Sequence, residues 1–251
     1  MELPILYEDA DIVAVAKPAG LITHSDGRTK EETAEDWFKE KYPGAVGGYT
    51  HRLDRDTSGV LIFAKNVEAY EFLRKAFHDR DVHKTYLALV YGVPKEKKGV
   101  IDFDIGRSRK DFRLRSAQPK AKGRLRDALT RYEVIGETEG YALLKMNPET
   151  GRTHQIRVHL KAIHHPIICD VLYATGFFKS EAIGKKPKSR GAPNHPHALG
   201  ISRLGLHAYS LDLPLPKGGR TLVSAPIPED LVPALKKFTN VNETFALSVG
   251  A

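Results

Sequence analysis

The sequence predicts a single globular domain that mixes β-strands with α-helices. Its 251 residues are 41% hydrophobic and 28% charged, which is the composition of a folded chain. Strand patterns alternate with helical patterns through the first third, and no repeat or linker divides the chain. We predict one domain over residues 1–251, with a basic arm at about 106–128 and a long loop at about 176–200.

The composition also excludes several classes of protein. With only Cys169, the chain forms no intramolecular disulfide and no cysteine-based zinc cage. It contains no apolar run long enough to span a membrane, and its N-terminus lacks the regions of a secretory signal. We therefore expect a cytoplasmic protein that folds without a disulfide or a metal, as a chain of this length can.

The strands are predicted from short apolar runs bounded by turn residues. In chain order, the predicted strands are Leu3–Tyr7, Ile12–Ala16, Val60–Ala64, His83–Tyr91, Val100–Ile105, Leu129–Ile135, Tyr141–Met146, Gly205–Leu213 and Thr221–Val223. The basic arm lies between the fifth and sixth of these strands, so it is predicted to be an insertion.

The helices are predicted from apolar residues spaced three to four apart and from their boundary residues. The first spans Thr33–Tyr42, because Pro43 cannot continue the helix. The second begins after Asn66, a residue type that caps helix N-termini. The other two are predicted at Thr153–Ile163, with Thr153 as the N-cap, and at Glu229–Phe238.

The net charge of +8 comes from the basic arm alone. Nine of the 39 Lys and Arg residues lie between Arg107 and Arg126, with only one of the 31 Asp and Glu residues. The rest of the chain is therefore neutral, which favours a polyanionic partner, nucleic acid before membrane. The alternative is a solvated surface loop. The candidate polyanion-binding residues are Arg107, Arg109, Lys110, Arg113 and Arg115.

The first candidate site is a polar loop before a strand, His51-Arg52-Leu53-Asp54-Arg55-Asp56-Thr57-Ser58-Gly59. Residue types alone favour a tight turn. However, Arg52 and Arg55 flank Asp54 where the loop is expected to be exposed. Neighbouring guanidiniums lower the pKa of a carboxyl, so Asp54 would stay ionised and serve as a nucleophile or an electrostatic stabiliser.

Two further segments carry candidate residues. Tyr86 lies near the start of the predicted strand His83–Tyr91, after Lys84 and Thr85, and is either a core residue or a platform on which a base stacks. In the segment Gly151–Leu160, His154 and Arg157 are three residues apart and can lie on one helix face. The alternative there is an amphipathic helix with a polar face.

Metal and nucleotide chemistry are disfavoured by the motifs. The chain has eleven histidines but no CxxC or HExxH spacing, and His154 and His159 diverge on a helix. No glycine-rich phosphate loop is present. A metal-dependent nuclease that uses Asp54 and Asp56 would also lack further clustered carboxylates. We predict no metal site and no cofactor.

Together these segments resemble the RluA family of RNA pseudouridine synthases. The matching stretches are His51–Leu61, Lys84–Gly92, Gly151–Leu160 and Leu206-His207-Ala208, in the family's order and across about residues 5 to 225. The resemblance implies an α+β fold with a large, mostly antiparallel central sheet. It also implies residue roles: a catalytic Asp54, Arg52 filling the gap left by a flipped nucleotide, Tyr86 stacking on the target base, and Arg157 pairing with the aspartate.

The implied reaction converts uridine to pseudouridine in transfer or ribosomal RNA without a cofactor. The main alternative is a non-catalytic RNA-binding protein or chaperone, and the other is the nuclease described above. An intact set of Asp54, Tyr86 and Arg157 favours the enzyme, because RNA binding alone does not require these three residues together. The sequence identifies no protein partner and is compatible with a monomer.

The sequence departs from the family in two places. Cys169 and Ala174 stand where the family has glycines, so we expect the backbone there to differ. Many relatives also carry an N-terminal RNA-binding domain of the S4 type. Here only fifty residues precede His51 and they match the catalytic domain, so we expect that accessory domain to be absent.

Overall fold

The computed structural model describes residues 1–25, 27, 30–109, 111, 114–117, 121–174 and 198–238. The chain divides into two compact units, Met1–Tyr86 with His207–Pro228, and Leu87–Leu206 with Glu229–Ala251. The long loop expected at about 176–200 lies almost entirely outside the described residues. A single domain over the whole chain stays a prediction.

The first unit is built on a mixed sheet. Its strands are β1 (Ile5–Glu8), β2 (Ile12–Lys17), β3 (Gly48–Tyr49), β4 (Ser58–Ala64), β12 (Leu206–Pro214) and β13 (Arg220–Ser224). They lie in the order β1-β2-β4-β12, with β3 beside β4 and β13 beside β12. The pairs are antiparallel except β4 with β12, which run parallel.

Strand β4 is covered on both faces, which explains its continuous apolar sequence. On one face, Val60 and Ile62 pack in a cluster with Leu73 of helix α2 (Val67–His78). On the other face, Leu61 and Phe63 pack with the aromatic residues of helix α1 (Ala34–Lys41). The Asp54 loop therefore leads directly into the most deeply buried strand of this unit.

Both helices of the first unit begin at capping residues, of which the sequence predicted Asn66. The Thr33 side chain accepts a hydrogen bond from the Asp36 amide, and the Asp36 carboxylate accepts one from the Thr33 amide, which forms a capping box. The Asn66 side chain accepts a hydrogen bond from the Ala69 amide at 2.8 Å. The sequence predicted the Asn66 cap, whereas it predicted Thr33 as the first residue of α1 and not as its cap.

The second unit contains the strands β5 (His83–Tyr91, from Leu87 onward), β6 (Lys98–Asp102), β10 (Leu129–Thr138) and β11 (Tyr141–Pro148). They lie in the order β5-β11-β10-β6, and β10 pairs antiparallel with both of its neighbours. Predominantly antiparallel pairing in both units confirms the predicted α+β class.

The basic arm contains strands that the sequence did not predict. Strands β7 (Ile105–Ser108), β8 (Arg115–Ala117) and β9 (Ala121–Arg126) form a separate antiparallel sheet in the order β8-β7-β9. Buried Ile105 and Ala117 pack in a cluster with Val158 of helix α3 (Gln155–Ala162). The basic arm therefore has a packed base and is more than a solvated loop.

Three predicted boundaries are wrong. Helix α3 begins at Gln155 and its N-cap is His154, because the backbone of His154 turns into the left-handed region with φ 58°; Thr153 is not the cap. The strand predicted at Val100–Ile105 ends at Asp102, and Ile105 starts β7. The last predicted helix shrinks to one turn, α4 (Val232–Leu235).

Two further observations bear on the predictions. Cys169 adopts φ 58°, a conformation that glycine favours, so a cysteine at this position does not force the backbone out of it. Within the described ranges, no helix is long and apolar enough to cross a membrane.

Gly59, at the start of β4, is required by a close backbone approach. It has φ +124°, and a Cβ added to it would lie 2.1 Å from the carbonyl oxygen of Ala208 on β12. We predict that Gly59→Ala destabilises the protein more than Gly140→Ala does, by about 1–3 kcal/mol of overpacking. Gly140 is the matched control because it also has a positive φ, +74°, but has no atom within 4 Å of an added Cβ.

Urea unfolding of both variants measures this difference. Equal losses of stability in Gly59→Ala and Gly140→Ala would show that β4 and β12 separate easily at this position, contrary to the packing described here.

Candidate active site

Asp54 lies in a tight turn, residues 51–57, that leads into β4. The Thr57 amide donates a hydrogen bond to the Asp54 carbonyl at 3.1 Å and closes the turn. Asp54 is half-buried, whereas Arg52 and Arg55 on either side are exposed. The turn thus holds one carboxylate partly out of water while its arginine neighbours face solvent; the sequence predicted the exposure of the arginines but not the partial burial of Asp54.

A buried lysine fixes the far side of this turn. Lys17 is 1% exposed, and its Nζ donates to the carbonyl oxygens of Pro18 at 2.8 Å, Leu21 at 2.7 Å and Arg55 at 3.0 Å. The Gly20 amide also donates to the Arg55 carbonyl at 2.9 Å. One ammonium group therefore joins the segment 18–21 to the backbone of the residue that follows Asp54.

A buried hydroxyl fixes the near side of the turn. Thr23 Oγ1 donates to the Leu53 carbonyl at 3.0 Å and accepts from the Leu53 amide at 3.2 Å. Both residues are almost fully buried, so these bonds are shielded from water. The backbone is thus held at Leu53 and at Arg55, and Asp54 has little freedom to move between them.

The two arginines of the turn differ in their partners. Arg55 Nε donates to the Gly20 carbonyl at 3.1 Å, and its guanidinium lies 2.8 Å from the Glu31 carboxylate. Arg55 is therefore engaged in holding the turn. Among the described residues, Arg52 forms no hydrogen bond or ion pair, so its exposed guanidinium is available to a ligand beside Asp54.

Tyr86 belongs to the same unit and contributes the aromatic ring of the site. It is half-buried and packs against the cluster that contains Leu53 and Leu61. Burial raises the pKa of the Tyr86 hydroxyl, and the negative charge of Asp54 raises it further. The ring is therefore both a core contact and a partly accessible surface close to Asp54, and its hydroxyl stays protonated at neutral pH.

His51, the first residue of the turn, is a structural contact. Its Nε2 accepts a hydrogen bond from the Ile62 amide at 3.2 Å, and its ring stacks on Phe77 of α2 at 4.8 Å. Burial, with a smaller effect from the charge of Lys84, lowers the pKa of His51 to about 3. The imidazole stays neutral, so its Nε2 remains an acceptor and connects the turn to β4 and α2.

A buried pair connects β4 to β12 below the turn. Ser58 Oγ lies 2.9 Å from Nδ1 of His207, and Nε2 of His207 lies 3.4 Å from the Ala225 carbonyl. Because Nε2 of the neutral His207 ring donates to this carbonyl, Nδ1 accepts a hydrogen bond from the Ser58 hydroxyl. Ser58 and His207 are each 1% exposed, so a substrate cannot reach them. The pair therefore stabilises the fold and does not serve as a nucleophile and its base.

Arg157 lies on α3 in the second unit, where it binds a carboxylate. Its Nε donates to Asp170 Oδ2 at 2.8 Å and its Nη2 to Asp170 Oδ1 at 2.9 Å, in a buried bidentate pair. The sequence missed Asp170 as a partner of Arg157. The pairing of Arg157 with Asp54, which the family resemblance implies, stays a prediction.

Two of the candidate residues of the basic arm, Arg107 and Arg115, lie on its small sheet. Arg107 of β7 is exposed and is opposite Arg115 on β8 and Lys122 on β9, so three basic residues align across the strands. Arg109 is also exposed, whereas Lys110 and Arg113 lie outside the described residues. Like charges opposite one another repel unless an anion lies between them.

The fold matches that of solved pseudouridine synthase domains, which defines the class of protein. Human RNA Pseudouridylate Synthase Domain Containing 1 superposes with a TM-score of 0.73 at 25% identity, over 100% of this chain and 95% of that one. A structural match of this extent includes the strands and helices that hold Asp54 and Tyr86. The class is therefore that of an RNA-modifying isomerase.

The sequence comparisons define the family. The model for RNA pseudouridylate synthase matches residues 11–162. An uncharacterized RNA pseudouridine synthase of Chlorobaculum parvum is 35% identical over 257 aligned positions, 95% of this chain and 75% of that protein. Ribosomal large subunit pseudouridine synthase D of Xanthomonas campestris is 36% identical over 234 positions, 91% of this chain and 67% of that protein.

The chain therefore belongs to the RNA pseudouridylate synthase family, and the resemblance to the RluA family is confirmed. It is an enzyme, an isomerase that converts uridine in RNA to pseudouridine.

Thr23 should control both stability and the position of Asp54. We predict that Thr23→Val lowers the free energy of unfolding by about 1–3 kcal/mol, because the Leu53 amide and carbonyl lose their buried partner. The single-turnover rate should fall as well, since the Asp54 turn loosens. Thr23→Ser keeps the hydroxyl and is the control, which should retain most of both properties.

Urea unfolding and single-turnover pseudouridine formation measure these effects. A Val variant as stable and as fast as the Ser variant would mean that the hydroxyl does not hold the turn.

Proposed function

We propose that this enzyme modifies large-subunit ribosomal RNA, with Asp54 as its catalytic carboxylate. The observation that carries the proposal is the half-buried Asp54, whose charge raises the pKa of Tyr86 and whose backbone is fixed on both sides. The names of relatives that act on the ribosomal large subunit support this RNA over transfer RNA. The single Cys169 and the RNA substrate support a cytoplasmic location. No step of the reaction requires a second protein, which is compatible with a monomer.

The reaction exchanges one bond for another within the same nucleotide. The C1′–N1 bond breaks, the uracil turns, and a C1′–C5 bond forms while C5 loses its proton and N1 gains one. Nothing is oxidised or hydrolysed, so the atoms balance without a co-reactant. The sugar carbon becomes electron-poor when the base leaves, and a carboxylate can form a bond to it or stabilise its charge, as in glycosidases.

Asp54 suits this role because its position is set before RNA binds. The contacts of Lys17 and Thr23 fix the backbone of its two neighbours, so little reorganisation is required when positive charge develops at C1′. We propose that Arg157 pairs with the catalytic carboxylate and places a positive charge beside it. Two of the guanidinium nitrogens of Arg157 already bind Asp170, and this pairing restricts the orientation of the guanidinium.

Tyr86 and Arg52 suit the handling of a flipped nucleotide. A base in a stacked or paired RNA is inaccessible, and moving it out costs a few kcal/mol. The exposed guanidinium of Arg52 is two residues from Asp54 and could occupy the vacated space, while the ring of Tyr86 offers a stacking surface. Because its pKa is raised, Tyr86 acts as a protonated phenol and is a poor base in the resting enzyme.

The basic arm suits the capture of the RNA backbone. Among the described residues, Arg107 and Lys122 have no ion-pair partner, and the strand register aligns them with Arg115. A phosphate between them would neutralise their mutual repulsion. By contrast, Lys97 and Lys98 of the same unit already form ion pairs with Glu137 and Glu133.

Asp54→Asn should abolish pseudouridine formation while RNA affinity stays within about tenfold, or ~1.4 kcal/mol. The amide keeps the size of the side chain but cannot bond to or stabilise C1′ as a carboxylate does. Asp56→Asn, which changes the neighbouring carboxylate of the same turn, is the control and should retain activity. The assay maps pseudouridine in large-subunit ribosomal RNA and in transfer RNA after incubation with each purified protein.

Wild-type turnover by Asp54→Asn would remove Asp54 from the chemistry. Modification of transfer RNA alone would keep Asp54 and contradict the ribosomal substrate.

Tyr86→Phe should bind RNA like the wild type, because the ring is retained, whereas Tyr86→Ala should lose roughly 1–3 kcal/mol of base stacking. Fluorescence anisotropy with a substrate oligonucleotide measures both affinities. The single-turnover rate of the Phe variant then reports whether the hydroxyl takes part in removing the C5 proton. If Tyr86→Ala bound RNA and turned it over like the wild type, Tyr86 would be a core residue only.

Replacing Arg107 and Lys122 by Ala should weaken RNA binding and flatten its salt dependence. If each residue contacts one phosphate, the slope of log affinity against log salt should decrease by roughly 1.4–1.8 units. The double variant Lys97→Ala/Lys98→Ala removes the same charge from residues that are already paired and should leave the slope nearly unchanged. Equal slopes for both double variants would assign RNA capture to a different surface.

A further inference from the structure

Tyr173 lies between the basic arm and helix α3, and the roles proposed above do not use it. It is 2% exposed and packs in the cluster that contains Ile105, Ala117 and Val158. These residues join strands β7 and β8 of the basic arm to α3. Tyr173 is therefore part of the apolar base on which the arm rests.

The hydroxyl of Tyr173 bonds to both of these elements. It accepts a hydrogen bond from the Arg115 amide of β8 at 3.0 Å and lies 2.8 Å from Nδ1 of His154, the N-cap of α3. The hydroxyl thus forms one hydrogen bond to the backbone of β8 and one to the imidazole of His154. His154 has φ 58°, a strained conformation for a non-glycine residue, so its side-chain contact helps to maintain this helix start.

The ring of Tyr173 contacts the cations of α3. The guanidinium carbon of Arg157 lies 5.2 Å from the ring centroid, and Nζ of Lys161 lies 5.3 Å from it. Both distances are in the range of cation–π attraction. Asp170, which binds Arg157, also accepts hydrogen bonds from the amides of Leu172 and Tyr173. The segment 170–173 thus holds Arg157 by a carboxylate and by an aromatic face.

We propose that Tyr173 is a positioning residue that couples the RNA-binding arm to the helix that carries Arg157. Its hydroxyl fixes the position of β8 relative to the start of α3, and its ring contacts the guanidinium of Arg157. RNA bound to the arm therefore also favours the ordered position of Arg157. This inference rests on the proposed function of the basic arm in capturing RNA.

Tyr173→Phe tests the proposal because it keeps the ring and removes both hydrogen bonds of the hydroxyl. We expect RNA affinity to fall roughly three- to tenfold, the effect of one or two hydrogen bonds, and the salt slope to flatten. Tyr132→Phe, which removes a hydroxyl from β10 of the same unit, is the control and should change neither property. Thermal unfolding verifies that both variants remain folded at the assay temperature.

A double-mutant cycle separates coupling through the arm from a general loss of structure. Tyr173→Phe is added to the Arg107→Ala/Lys122→Ala protein, and affinity is measured again. If Tyr173 acts through the arm, the added substitution lowers affinity by less than twofold, because the RNA contacts that Tyr173 positions are already absent. A full three- to tenfold loss in this background would overturn the proposal.

Two other outcomes are also decisive. Wild-type affinity in Tyr173→Phe, with weakened binding in the arm variant, overturns the coupling and leaves the arm's role intact. Unchanged binding in the arm variant refutes the arm's role itself, and the coupling with it. Deuterium exchange at residues 114–117 without RNA gives an independent readout: the Phe variant should exchange faster than both the wild type and Tyr132→Phe.

Discussion

The active site depends on the fixation of one short turn by buried polar groups. An ammonium ion in a protein interior is unfavourable unless it is fully hydrogen-bonded, and Lys17 meets this requirement with backbone carbonyls that include that of Arg55. Thr23 holds Leu53 in the same manner. Because both neighbours of Asp54 are held, the carboxylate is presented at the surface of the unit without being free to move.

The second unit uses the same principle for Arg157. A buried guanidinium requires a partner of opposite charge, and Asp170 provides a bidentate one. Breaking such a pair by removing one partner leaves an uncompensated buried charge, which is strongly destabilising. In both units, interactions that are costly to disrupt therefore hold the residues assigned to the reaction, Asp54 and Arg157. Arg52 and Arg107, which are assigned to RNA binding, remain exposed.

The sequence was sufficient to predict features that depend on adjacent residues. The cap at Asn66 and the exposed arginines beside Asp54 follow from local residue types. The contacts that hold the site connect distant residues and could not be predicted: Lys17 and Arg55 are 38 positions apart, and Arg115 and Tyr173 are 58 apart. The error at Thr153 has the same origin, since His154 takes the strained cap position beside Tyr173.

Tritium release from RNA labelled at C5 of uridine shows whether the protein isomerises uridine within an intact RNA. We expect the purified wild-type protein, without an added metal or cofactor, to release tritium while the RNA keeps its full length on a denaturing gel. RNA that is bound without tritium release would instead indicate a non-catalytic binding protein, and RNA that is cleaved would indicate a nuclease.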